Sequence, residues 1–193
     1  METDKFVFIH PKGICESETV GNGTKIWAFA HVMKGASIGE NCNICGGVFV
    51  EQGANIGDNV TIKNGVCIWD RVTIRNDVFI GPGTIFTNDL IPRNNNRTST
   101  ENFLPTLVEE GASIGANATI KCGVVIGKSA FIGAGSVVTR SILDFEMVVG
   151  NPAKFYSWIC YCGNQIIPET RCTCGRTYSL NKERLVLKKG ELL

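Results

Sequence analysis

The sequence predicts an all-β fold: stacked coils of short parallel strands wound from a six-residue repeat. Three observations predict it. An aliphatic residue or Phe leads every sixth position from Ile14 to Phe86, and again from Val108 to Val138. A second small or aliphatic side chain follows four positions later, as at Val48, Ala54, Val60, Val66, Val72 and Val78. Glycine often follows the lead residue directly, as at Gly39, Gly57, Gly81, Gly115, Gly127 and Gly133. Six residues are about 600° of an α-helix, so a helix would rotate this apolar face away. Short strands joined by corners keep it on one side, because side chains alternate in a strand and Gly, Asn and Asp accept the dihedrals of a bend. A repeat this long defines an architecture, in which stacked coils bury their lead residues in a common interior.

Residues 1–13 lead into the first coil, and Phe6, Phe8 and Ile9 are expected to cover its open end. Residues 14–86 hold thirteen hexads, just over four coils if three sides make a turn. Residues 87–107 break the register, and residues 108–142 add about two coils. Six coils stacked roughly 4.8 Å apart give a prism about 30 Å tall. The β-helical domain is taken as 14–154, closed by the turn residues Gly150, Asn151 and Pro152. The tail, 155–193, is Cys-rich and ends in a charged stretch from Lys182 to Glu191.

The 193 residues suffice for one domain with a small appendage. A formal charge of +1 leaves no basic footprint for nucleic acid. No apolar run approaches the roughly 18 residues of a membrane helix. Met1-Glu-Thr-Asp-Lys5 lacks the apolar stretch of a signal peptide, so a reducing cytoplasm is expected for the nine cysteines. Cys42, Cys45, Cys67 and Cys122 are read as small hydrophobes of the repeat. Cys160, Cys162, Cys172 and Cys174 form two Cys-x-Cys-Gly turns. Four thiolates in a reduced chain read as a structural zinc site, although two intervening residues are the commoner knuckle spacing. The alternative is four free thiols in a small cap.

Several stretches carry a more specific resemblance. These are Lys25-Ile-Trp-Ala-Phe-Ala-His-Val32, Phe86-Thr-Asn-Asp-Leu-Ile-Pro-Arg93, Gly115-Ala-Asn-Ala-Thr-Ile120, Gly133-Ala-Gly-Ser-Val-Val-Thr139 and Val149-Gly-Asn-Pro-Ala-Lys154. Over about residues 8–155 the chain resembles the hexapeptide-repeat acyltransferases. Within them it resembles the branch that N-acetylates nucleotide-linked 3-amino sugars for bacterial surface polysaccharides, including lipopolysaccharide O-antigen. The resemblance implies a left-handed parallel β-helix, acetyl-CoA as co-substrate, and a homotrimer with active sites between neighbouring prisms. It also implies that Asn88 lies where the amine meets the thioester.

The step from Phe86 to Val108 takes 22 residues where the repeat needs six, and ordered insertions of this length are usually functional. The implied reaction is direct attack of a sugar amine on the thioester, with no covalent enzyme intermediate. Taking an α-amino group as guide, roughly a tenth of such an amine is neutral at pH 7, so a strong base is optional. Asn88 is expected to orient the amine. Asp89, water or the departing thiolate would take the proton. Arg93 would hold the loop or an anionic group. Lys63, Asn64, Trp69 and Asp70 are expected to cluster below the loop, with Asn64, Trp69 and Asp70 as substrate contacts and Trp69 stacking on a base or sugar, or packing against a neighbour. His31 points outward and could contact substrate; His10 is read as an incidental surface residue. Gly133, Ala134 and Gly135 would admit the pantetheine arm, and Lys154 would meet a phosphate. One alternative is an O-acetyltransferase of the same fold using His31 as base. Another is a non-catalytic scaffold or a carbonic-anhydrase-like metal trimer, which two histidines are too few to build. UDP or dTDP as carrier, uronic acid or 6-deoxy sugar, and an amine at C3 or C4 all stay open.

Overall fold

The computed structural model describes residues 6–169, 171–182 and 184–189. The first five residues of the leader and the end of the charged stretch at Gly190 and Glu191 lie outside these. The chain forms a β-solenoid of about eight turns with three faces. The first face runs in parallel from Phe8–Ile9 through Lys25–Ile26, Asn43–Ile44 and four further strands to Glu146–Val149. The second holds seven strands, from Ile14–Cys15 to Val137–Val138, and the third six, from Thr19–Val20 to Val125–Ile126. The only helical segment among the described residues is a short 3-10 turn, Thr100–Asn102. No helix among them is long and apolar enough to cross a membrane.

Almost every strand has two residues, one facing out and one facing in. Lead residues stack eighteen apart: Ile26 on Ile44, Ile62 on Ile80, Ile114 on Ile132. They fill the interior together with the second set, and Val48, Ala54, Val60 and Val66 are completely buried. The lead glycines are required because the coils close on one another at the corners. A Cβ on Gly115 would stand 2.5 Å from the Ala134 nitrogen and 2.8 Å from the Ile132 carbonyl oxygen, both backbone atoms that cannot yield.

Three expectations change. Phe8–Ile9 pairs in parallel with Lys25–Ile26, so the leader is a strand of the solenoid as well as its cover. Ile14 is 54% exposed, and Cys15 takes the inward place beneath Val32. The cause is a corner one residue short between Cys15 and Val20, which shifts the first coil by one position and exchanges the two faces of a strand. Cys67, half-buried, faces outward between Phe49 and Ile85. At the far end Lys154–Ile159 runs antiparallel along Glu146–Val149, followed by Gln165–Ile166. Leader and final strands account for the turns beyond the six expected.

Candidate active site

The break in register falls at the corner between the second and third faces. The chain leaves the second face after strand Ile85–Phe86, and Thr106–Val108 resumes the third on top of Val72–Ile74. The insertion therefore replaces one corner and leaves the stacking above and below it intact. Its root is held by Trp69, whose indole N–H donates to the Phe86 carbonyl at 2.8 Å and whose ring packs against Phe49. The Leu104 N–H donates to the Asn88 carbonyl at 3.2 Å, which brings the two ends of the loop together. Asp89 shapes the interior, with one carboxylate oxygen accepting from the Ile91 N–H at 3.0 Å and the Thr98 hydroxyl at 3.1 Å. Arg71 reaches up to the Phe103 carbonyl at 3.3 Å.

Two hollows meet at Phe103. One, about 380 Å³, is lined by Asp89, Pro92, Arg93, Asn94, Arg97 and Phe103. The other, about 370 Å³, is lined by Glu51, Gln52, Gly53, Asp70, Thr100 and Phe103. The first carries two guanidinium groups beside the Asp89 carboxylate, and the second carries the carboxylates of Glu51 and Asp70. Glu51 and Gln52 were not anticipated, yet they stand eighteen residues before Trp69 and Asp70 and so share their columns. Glu51 accepts the Asp70 backbone N–H at 2.8 Å. Two larger hollows, about 560 and 730 Å³, lie against Arg184 in the tail and contain none of the expected site residues.

The expected residues divide between two corners. Trp69, Asp70, Asn88, Asp89 and Arg93 belong to the corner between the second and third faces. Asn64 lies six residues before Asp70, one corner earlier, in a hollow of about 420 Å³ with His10, Trp27, Asn43, Cys45 and Gly46. Gly133, Ala134 and Gly135 occupy the same edge higher up, where Gly135 would admit a Cβ into open space. Exposed Lys154 pairs with Val149 just above them. His31 sits on the second face, three layers or about 14 Å below Ile85, with Nε2 3.3 Å from Glu16 Oε2 and its ring edge on Phe49. Burial raises the thiols of Cys15, Cys42 and Cys67, which marks them as small apolar groups, not nucleophiles.

The comparisons fit this architecture. The family model described as bacterial transferase hexapeptide (six repeats) matches residues 19–52 and 105–140, on either side of the insertion. The chain is 53% identical over 174 residues to dTDP-3-amino-3,6-dideoxy-alpha-D-galactopyranose 3-N-acetyltransferase of Aneurinibacillus thermoaerophilus, covering 89% of this chain and 90% of that one. The chain belongs to the hexapeptide-repeat N-acyltransferases of nucleotide-linked amino sugars.

Solved structures share the fold at lower identity. AntD, an N-acyltransferase from Bacillus cereus in complex with dTDP and coenzyme A, aligns at 20% identity and TM-score 0.59, over 79% of this chain and 82% of that one. PerB from Caulobacter crescentus, in complex with CoA and GDP-perosamine, aligns at 23% identity and TM-score 0.58. Its alignment covers 78% of this chain, which spans just over half of that structure, 57%. In this hexapeptide-repeat N-acyltransferase the tail carries four further thiols. Arg176, through its backbone N–H and its guanidinium, draws the Cys174 thiol down to about 6, and burial pushes Cys160 up to about 12.

Proposed function

We propose that the protein moves an acetyl group from acetyl-CoA to the 3-amine of a dTDP-linked 3-amino-3,6-dideoxyhexose, in the synthesis of a bacterial surface polysaccharide. The observation that carries this reading is the 53% identity to the Aneurinibacillus enzyme along nearly the whole of both chains. The sugar amine nitrogen bonds to the thioester carbon, and the C–S bond of the tetrahedral adduct breaks. Coenzyme A leaves as thiolate, and the proton lost by nitrogen goes to that thiolate, to water or to Asp89. Holding amine and thioester together supplies several kcal/mol without a protein nucleophile. Backbone N–H groups along the coils are the donors for the developing oxyanion.

Asn88 orients the amine through its side-chain carbonyl. Asp89 acts first through loop shape, since one carboxylate oxygen already accepts two hydrogen bonds, and its second oxygen is the one left for a proton. Arg93 and Arg97 suit the diphosphate of the carrier, because guanidinium forks match phosphate oxygens. A 6-deoxy sugar brings no carboxylate, so neither arginine is needed to read one. Trp69 supports the loop root, and its indole N–H is taken by Phe86. Gly133, Ala134, Gly135, Asn64 and Lys154 form the coenzyme edge.

Both corners serve one site if three prisms pack side by side, each offering its coenzyme edge to the loop of the next. The apolar side chains standing out from the solenoid support a homotrimer: Trp27, Phe29, Phe79 and Ile85 are all exposed in the single chain. The reading places the enzyme in the cytoplasm, where acetyl-CoA and nucleotide sugars are made.

The test is thiol release from acetyl-CoA with dTDP-3-amino-3,6-dideoxygalactose and a UDP-linked 3-amino-uronic acid in parallel. Release with the dTDP sugar alone is the expected result. Release only with the uronic acid would overturn the carrier and the sugar together. The His31→Ala variant should keep the parent kcat within a few-fold, because an amine acceptor is already partly neutral. A hydroxyl acceptor would require a base, so loss of turnover in this variant would favour the O-acetyltransferase reading.

A further inference from the structure

The tail has no part in the acetyl transfer proposed above, yet it holds the densest set of soft ligands in the molecule. Residues 160–164 read Cys-Tyr-Cys-Gly-Asn and residues 172–176 read Cys-Thr-Cys-Gly-Arg. The two segments fold alike. In each, the N–H of the first Cys donates to the carbonyl of the fifth residue, Asn164 or Arg176, at 2.8 Å. In each, the glycine N–H donates to the carbonyl of the first Cys, again at 2.8 Å. Gly163 and Gly175 have φ of 87° and 93°, a conformation that turns the chain back directly after the second Cys and that a side chain would strain. This turn lets a single intervening residue present both thiols of a pair to the same point.

The two turns face each other. Their four Sγ atoms all lie within 4.8 Å of one another. Cys160 and Cys174 approach to 3.5 Å, as do Cys162 and Cys172. A disulfide would need about 2.05 Å. Four sulfurs around zinc at about 2.3 Å stand about 3.8 Å apart, inside the observed spread. Three polar groups approach the sulfurs from outside. The Tyr178 hydroxyl is 3.1 Å from Cys160 Sγ, the Asn164 amide donates to Cys162 Sγ at 3.5 Å, and the Arg176 guanidinium donates to Cys174 Sγ at 3.5 Å.

We propose that Cys160, Cys162, Cys172 and Cys174 bind one Zn²⁺ per chain in a closed structural site. Four thiolates around a divalent ion leave a charge of about −2 and no open position, which suits a fastening and not a catalytic metal. Arg176 offsets part of that charge, and Tyr178 and Asn164 orient the sulfurs. The fastening has a definite place in the fold. Phe145, from the last turn of the solenoid, meets Tyr178 edge-on at a centroid distance of 5.3 Å. The Ile159 N–H donates to the Phe145 carbonyl at 2.9 Å. The ion therefore ties Tyr178 and the strand Lys154–Ile159 to the end of the first face. The solenoid interior contains none of the four ligands, so its folding is independent of the metal.

The whole chain should be purified without chelator under reducing conditions and its metal measured by atomic emission, before and after incubation with Zn²⁺ alone. About one zinc per chain is the expected result. Replacement by Co²⁺ should give a thiolate-to-cobalt charge-transfer band and the intense visible bands of a tetrahedral site. The double variant Cys172→Ser/Cys174→Ser should lose both signals and keep the circular dichroism of the solenoid, while Cys122→Ser should keep the metal. The cobalt titration of the parent chain gives the answer even if the double variant fails to fold. Far less than one equivalent after incubation with Zn²⁺, with all four tail thiols open to alkylation, would overturn the site. So would an intact mass four hydrogens light, the signature of two disulfides.

Discussion

Removing residues 89–104 will abolish acetyl transfer and leave the solenoid folded. The deletion shortens the step from Phe86 to Val108 from 22 residues to six, the length of every regular corner. Thr106–Val108 can then still stack on Val72–Ile74, and the Trp69 bond to Phe86 is untouched. The losses are the Arg71 bond to Phe103, the Leu104 bond to Asn88, and the packing of Leu104 beside Gly123. Against them, closing a loop of six residues costs about 1 kcal/mol less than closing one of 22. The melting temperature should therefore move by only a few degrees. Activity should fall below detection, because the deletion takes away Asp89, Arg93, Arg97 and Phe103 and with them the shared wall of both hollows. A well-folded deletion variant with turnover comparable to the parent would mean that the insertion is a surface excursion.

Asn88→Ala will lower kcat by about a hundredfold, the cost of misplacing reactants by roughly an ångström. The main-chain carbonyl of Asn88, which closes the loop by accepting from Leu104, is still present in the variant. Loop shape and melting temperature should accordingly hold. The proposed role is confined to the bound complex, so kcat should fall while KM for acetyl-CoA changes little. Equal turnover by parent and variant at saturating substrates would remove Asn88 from the chemistry. A rise in KM alone would make it a binding contact.

The fold was legible because its signal is arithmetic. From Val20 onward every lead position is buried, and the insertion stands out as the one long interruption. Ile14 misled because a corner one residue short preserves the look of the six-residue count while exchanging the inward and outward sides. The site was legible only in part. A period of six identifies corners without saying which of the three each belongs to. Asn64 and Asp70, six apart, therefore appear as neighbours in sequence and stand on different edges in space. Counting by eighteen separates them and also brings in Glu51 and Gln52. The residues that shape the loop, Asp89 with Thr98 and Arg71 with Phe103, carry no periodic mark, because the insertion follows its own local hydrogen bonding.

The reversal of the chain after Val149 also bears on what the protein does not become. A stack of parallel strands with matching residues in register resembles the growing tip of an amyloid fibril, which recruits further chains through its unpaired backbone groups. On the first face, Lys154–Ile159 lies across that tip in the opposite direction, and Gln165–Ile166 follows it. An incoming copy in the parallel sense finds its place already taken by a strand that runs the wrong way to continue the stack. On this face the molecule carries its own chain terminator, and the parallel stack ends where that strand turns back.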